Sequence, residues 1–273
     1  MIVVTGATGN VGRPLVRALA AAGEEVTAVA RRVPDAPDGV ACVPADLLRP
    51  ETLEPALRGA TAVFLLTSGD WHAGGGDLPA VLDVVRAAGV KRVVLLSSQG
   101  VGTGRHSPHL EEAVTASGLG WTLLRPGGFA SNDLAWAEAV RATRTVPTPF
   151  PDVALPVIDP ADIAEVAAAA LVGDGHLGRV YELTGPAPLS PRERAAAIGA
   201  ALGEPVRVVE LSRAEARERM VRSMPERVVE ATLDAVGDPL PAERTPSPDV
   251  ERVLGRPART YAEWAGRTAA AFR

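Results

Sequence analysis

The opening residues constrain this chain more than anything that follows them. Ile2, Val3, Val4 and Thr5 form a short apolar run dominated by β-branched residues, and the string Gly6-Ala7-Thr8-Gly9-Asn10-Val11-Gly12 comes directly after it. Leu15, Ala18, Leu19 and Ala22 then recur at helical spacing as far as Gly23. A buried strand thus runs through a glycine turn into a helix, the arrangement that seats a dinucleotide pyrophosphate on a helix N-terminus. Gly6 suits the tight turn, Gly9 lets the backbone approach the phosphates, and Gly12 lets helix and strand pack closely. The spacing is G-x-x-G-x-x-G, not the commoner G-x-G-x-x-G.

The next hundred residues repeat the strand-then-helix rhythm. Strands are expected at Glu25 to Ala30, Ala41 to Pro44, Ala62 to Leu66, Arg92 to Leu96 and Trp121 to Leu124. Helical patterns separate them, and no hairpin signal intervenes. The fold class that follows is α/β, a Rossmann-type, doubly wound parallel sheet with right-handed crossovers. After Phe129 proline becomes frequent and the pattern changes. Asp159-Pro160 opens a helix, Val180 to Leu183 reads as a strand, and Ser190-Pro191-Arg192-Glu193 and Ser212 with Glu215 form capping boxes. Residues 1–150 are therefore expected to form a nucleotide-binding domain. Residues 151–273 are expected to form a smaller, mostly helical C-terminal substrate lobe, with elements returning to the sheet, that closes over the cofactor edge.

Composition excludes several function classes. A formal net charge of −5 argues against a nucleic-acid partner. A single cysteine, Cys42, fits a reducing compartment and leaves no disulfide framework. No apolar stretch approaches the roughly 20 residues that span a bilayer, and the first strand starts at Met1, leaving no room for a signal peptide. The expectation is a soluble, cytoplasmic protein with a small-molecule substrate and no membrane partner, a homodimer being left open. Four scattered histidines and one cysteine have no metal-ligand spacing.

Candidate binding residues cluster at the ends of the expected strands, where open α/β sheets bind ligands. Arg31 and Arg32 end the second strand, where an acid would bind the 2′-hydroxyl of NAD and an arginine accommodates the 2′-phosphate of NADP. Asp46 and Leu47 follow the third strand and fit the adenine edge, although Asp46 fits a helix cap equally well. Thr67 and Ser68 end the fourth strand, and Ser97 and Ser98 the fifth. Between them Gly69 to Asp77 carries Trp71, His72 and three consecutive glycines. This reads as a flexible loop with an exposed tryptophan suited to a substrate lid, or as a loop with one docked aromatic.

The motifs together resemble one family. Thr5-Gly6-Ala7-Thr8-Gly9-Asn10-Val11-Gly12, Ser97-Ser98, the stretch from Ala116 to Phe129, Asn132, and Glu182-Leu183-Thr184-Gly185-Pro186 look like the NmrA-like branch of the atypical short-chain dehydrogenase/reductase superfamily. The resemblance covers nearly the whole chain. It implies NADP or NAD bound across the strand ends, in a family that includes type-2 NADPH quinone reductases and redox-sensing regulators. By position, Gly6, Thr8, Gly9, Asn10, Val11 and Gly12 would line the pyrophosphate, and Arg31 and Arg32 would meet the 2′-phosphate. Thr67 and Ser68 would border the nicotinamide ribose, and Pro126, Gly127, Gly128 and Phe129 would flank the nicotinamide.

One departure from the wider superfamily narrows the chemistry. Ordinary members use a Tyr-x-x-x-Lys pair, whose lysine lowers the tyrosine pKa for proton exchange with substrate. Here the tyrosines are Tyr181 and Tyr261 and the one lysine is Lys91, so that pair is absent. A quinone or activated enone takes hydride from NADPH without it, because the cofactor carries the chemistry. Ser98, His106 and His109 are then candidate catalytic helpers. Trp71, His72, Phe129 and Trp136 are candidate substrate contacts, Phe129 and Trp136 fitting the core equally well. The expected function is an NADPH-dependent oxidoreductase acting on a quinone-like or otherwise unsaturated planar molecule. A non-catalytic NADP sensor and a non-redox isomerase or cyclase on the same fold stay open.

Overall fold

The computed structural model describes residues 1–32 and 38–273. Its strands are β1 (Ile2–Thr5), β2 (Val26–Ala30), β3 (Ala41–Pro44), β4 (Ala62–Leu65), β5 (Arg92–Leu96), β6 (Gly120–Pro126), β7 (Thr145–Thr148), β8 (Arg179–Leu183) and β9 (Arg207–Glu210). The helices used below are α1 (Gly12–Ala21), α2 (Glu54–Leu57), α3 (Gly69–Ala73), α4 (Leu78–Ala87), α5 (Gln99–Gly102) and α6 (His109–Ala116). The chain divides into two units. One comprises Met1–Pro126, Pro160–Leu183 and Asp249–Arg256; the other comprises Gly127–Asp159, Thr184–Pro248 and Pro257–Arg273.

The first unit holds a seven-stranded sheet in the order β3-β2-β1-β4-β5-β6-β8, parallel throughout. Every residue of β1 and β4 is buried, as expected for central strands covered on both faces. By contrast β3, at the sheet edge, is mostly exposed. Strand order reverses between β1 and β4, and the crevice outside their carboxyl ends is where a doubly wound sheet takes its ligand. Thr5 ties those two ends together: its hydroxyl donates to the Phe64 carbonyl at 2.9 Å and accepts from Leu66 N–H at 3.0 Å. A core of Leu53, Leu57, Val81, Leu82, Val85 and Val114 packs the helices to the sheet. The expected strands recur with small shifts, β6 running longer than its apolar run because Arg125 and Pro126 continue the pairing with β8.

The second unit is mainly helical around the short parallel pair β7 and β9. Both capping boxes form, at Ser190 with Glu193 and at Ser212 with Glu215. Its core includes Ile198, Tyr261, Trp264 and Phe272, with Trp136 packed at the margin. A buried charge lies within it. Arg194 Nη1 donates to both oxygens of Asp133, at 2.7 and 2.8 Å, and the Tyr261 hydroxyl donates to the same carboxylate at 2.7 Å. The Arg194 guanidinium also lies 5.0 Å over the Trp136 ring. Asp133 is 4% exposed. Burial pushes its carboxyl from the ordinary 3.8 to about 6, against the opposing pull of Arg194 and Tyr261.

The folded chain therefore holds a proton at Asp133 between about pH 4 and 6, where the unfolded chain has lost it. The stability this proton confers is complete below the ordinary value and lost as pH rises through about 6. In chemical denaturation across that range, Asp133→Asn should lack part of the wild-type decline in unfolding free energy. Parallel curves for the two proteins would contradict the assignment.

Candidate nucleotide site

The first unit carries a cleft of about 650 Å³ at the carboxyl edge of the sheet, a volume usual for small-molecule sites. One wall is the opening turn. Gly6 takes φ +62°, a left-handed conformation that its lack of a Cβ allows. Its carbonyl then accepts from Gly9 N–H at 2.9 Å. A Cβ on Gly12 would lie 2.1 Å from that same carbonyl oxygen, so no other residue lets α1 start so close to the turn. Gly6, Thr8 and Gly9 line the cleft. Asn10 is exposed, whereas Val11 and Gly12 are buried, Val11 in the core. No acidic residue lies in the first turn of α1, and Val11 caps it without a side-chain hydrogen bond. A positive helix end with no acid in its first turn fits a diphosphate.

The opposite wall comes from β2, the segment after β3, and α3. Arg31, Arg32, Asp46, Leu47, Leu48, Ser68 and Trp71 line it. Asp46 serves the turn as well as the wall: its carboxylate accepts from Leu48 N–H at 3.0 Å. Ser68 caps α3, its hydroxyl accepting from Trp71 N–H at 3.2 Å. His72 Nε2 shares a 3.1 Å hydrogen bond with the Thr67 hydroxyl.

The segment from Gly69, expected as a loop, is a helical turn, and Trp71, which the sequence left between an exposed and a docked position, is 4% exposed. Its indole N–H donates to the Leu47 carbonyl at 3.2 Å, and a Cβ on Gly76 would lie 1.9 Å from the ring. Gly76 makes room for a docked aromatic. Of the two readings of this loop, the geometry matches the docked aromatic.

Further along the same edge, β5 delivers Ser97 and Ser98. Ser98 and His106 come together, with Nδ1 to hydroxyl at 3.1 Å, and Ser98 also accepts from Gly100 N–H at 3.1 Å as the cap of α5. Gly100 and Gly102, after β5, lie in this helical turn. His109 stands at the start of α6 and bonds Ser107 at 3.1 Å instead. Ser97 donates to Glu111 at 2.5 Å, and Arg125 Nε and Nη2 fork onto the same carboxylate at 2.9 and 2.6 Å. Burial pushes the Glu111 carboxyl up, but the bonds from Arg125 and Ser97 and the charge of Arg125 outweigh it and leave it below its ordinary value. Pro126 is the buried last residue of β6. Gly127, Gly128 and Phe129 belong to the second unit, where Phe129 bridges to Ile158 and Gly128 accepts from Ile158 N–H at 2.8 Å. Trp136 lies in that unit too, beneath Arg194.

Two elements of this edge carry no clear mark in the sequence. Glu111 lies three residues before Val114 on the inward face of α6, and that spacing is its one signal. Asp70 pairs with Arg31 at 2.9 Å, and nothing in its surroundings in sequence distinguishes it from a surface acid.

Comparison with known proteins agrees with this geometry. A family model described as NAD(P)H-binding matches residues 6–173. A Streptomyces griseus protein named (4-alkanoyl-5-oxo-2,5-dihydrofuran-3-yl)methyl phosphate reductase is 38% identical over 283 residues, covering 100% of this chain and 99% of its own. An NAD(P)H azoreductase from Xenophilus azovorans is 36% identical, with 100% and 99% covered. Among solved structures, the NADPH complex of an NADPH-dependent quinone oxidoreductase from Escherichia coli superposes with a TM-score of 0.80 at 26% identity, covering 98% of this chain and 99% of the other.

The two glycines of the turn should separate binding from folding. A Cβ on Gly9 meets only the Gly6 carbonyl, at 3.3 Å, whereas one on Gly12 collides with backbone. Gly9→Ala should weaken nucleotide binding by about tenfold or more, roughly 1.4 kcal/mol, while its unfolding temperature stays near wild type. Gly12→Ala should lose both. Calorimetry of the two variants with and without NADPH checks this, and unchanged binding in Gly9→Ala would remove the phosphate role of the turn.

Proposed function

The chain belongs to the NAD(P)H-binding family and is an NAD(P)H-dependent oxidoreductase, and from that premise we propose that it is an NADPH-preferring reductase of quinone-like or otherwise unsaturated planar molecules. The observation that carries this reading is the commitment of both tyrosines and the lysine elsewhere. The Tyr181 hydroxyl bonds His176 at 2.8 Å, and the Tyr261 hydroxyl is buried on Asp133. Lys91 precedes β5, at the amino edge of the sheet, and the cleft opens at the carboxyl edge. An acceptor reduced here must take hydride without the tyrosine–lysine acid. Conjugated, electron-poor molecules do so. The relatives named for a furanone phosphate, azo compounds and quinones support that class.

The chain's own residues divide the work as follows. The Gly6-to-Gly12 turn holds the pyrophosphate on the start of α1. Arg31 and Arg32 meet the 2′-phosphate, the basis of the NADPH preference. The bound nicotinamide supplies the hydride. Ser98 Oγ, backed by His106 Nδ1, holds a proton at the carboxyl end of β5 for acceptors that need one.

NADPH oxidation against a panel of quinones and enones, with nucleotide binding measured in the same samples, tests the reading. Turnover of either class is expected. Tight NADPH binding without turnover of any of them would overturn it. His106→Ala should lower turnover of enones more than of quinones, because a hydroquinone anion takes its proton from water. An equal loss for both would argue for one obligate proton donor. Arg31→Ala combined with Arg32→Ala should weaken NADPH by about tenfold or more and leave NADH nearly unchanged. Equal losses for both would remove the arginines from 2′-phosphate recognition.

A further inference from the structure

The arginine that recognises the 2′-phosphate in this reading already holds an anion. Arg31 Nη2 donates to Asp70 Oδ2 at 2.9 Å, and both residues line the cleft. The pair is exposed, at 63% and 70%, so solvent screens it and it adds little to stability. Its interest lies in how firmly the acid is presented. Asp70 belongs to α3, whose neighbours on both sides are tied down. Ser68 caps the helix, Trp71 is buried with its indole N–H on the Leu47 carbonyl, and His72 bonds Thr67. The carboxylate therefore reaches Arg31 from a fixed turn at small cost in chain entropy.

We propose that Asp70 is a specificity-determining residue for the nucleotide, holding down the preference for NADPH over NADH by occupying Arg31. The proposal rests on the reading that a nucleotide lies in this cleft with its 2′-position toward Arg31. A 2′-phosphate gains Arg31 only by displacing or sharing with a carboxylate that stays within ion-pair reach, and the two anions repel. A 2′-hydroxyl brings no charge to the pair and meets no such opposition. Arg31 thus favours the phosphorylated ribose, Asp70 opposes it, and their pairing sets the balance.

The test uses 2′,5′-ADP and ADP, which carry the two ribose forms and no nicotinamide, so the readout is binding by calorimetry and not turnover. Asp70→Asn should bind 2′,5′-ADP about three- to tenfold tighter than wild type and ADP within about twofold. Asp70→Glu, which keeps the charge, should hold the wild-type ratio. In an Arg31→Ala background the effect of Asp70→Asn should disappear, which separates competition for Arg31 from a general change in charge. If Asp70→Asn shifts both ligands by one factor, or acts equally without Arg31, the role of Asp70 is overturned while the nucleotide site stands. If wild type binds neither ligand, the nucleotide reading of the cleft falls, and this proposal falls with it.

Discussion

The gap between the Gly6 carbonyl and the first turn of α1 is the constraint on which the site depends. A single added carbon at Gly12 would lie 2.1 Å from that oxygen, far inside contact distance. The close approach lets the chain leave β1 and enter α1 within a few residues, so the helix begins directly over the carboxyl end of a central strand. From there its positive end lies beside the crevice where strand order reverses. Thr5 locks the same point from below by joining β1 to β4. The reading of this protein as a nucleotide-dependent enzyme therefore begins with a few ångströms of backbone geometry.

Two buried carboxylates show how the same partner type gives opposite results. Glu111 takes a two-nitrogen fork from Arg125 and a third bond from Ser97, and its carboxyl stays below the ordinary value. Asp133 receives both arginine bonds from one nitrogen, and Arg194 Nε is buried without a partner. There desolvation wins. Asp133 lies deeper, so the cost of desolvating its charge exceeds what Arg194 and Tyr261 return, whereas at Glu111 the bonds and charge of its partners prevail.

Much of the first unit was legible in the sequence because strand and helix signals there are physical necessities. Central strands buried on both faces must be apolar, as in β1, β4 and β5; in the second unit, helix starts announce themselves with capping residues, as at Ser190 and Ser212. The glycine turn was legible for the same reason. What the sequence concealed depends on tertiary neighbours. Glycines around Trp71 look like freedom in one dimension, yet at Gly76 in three dimensions the indole fills the space a side chain would occupy. Asp70, Glu111 and Asp133 are ordinary acids until folding sets an arginine against each, from 39, 14 and 61 residues away respectively. Ser98 and His106 stood out by residue type, but only the turn of α5 shows that they meet while His109 bonds elsewhere.

The seven-stranded unit is drawn from three separate stretches of chain, and this sets an order in time. When a ribosome has made residues as far as Pro126, six of the seven strands exist, but β8 is still more than fifty residues away. The last stretch comes later still. Asp249 accepts from Glu182 N–H at 2.9 Å beside β8, and Arg256 reaches Asp162 at 2.7 Å and Glu165 at 2.5 Å. These contacts join residues 67 to 94 positions apart, and closing such long loops is slow. The nucleotide-binding unit thus cannot be cut out as one contiguous fragment. On the ribosome it stays unfinished until most of the other unit has been synthesised.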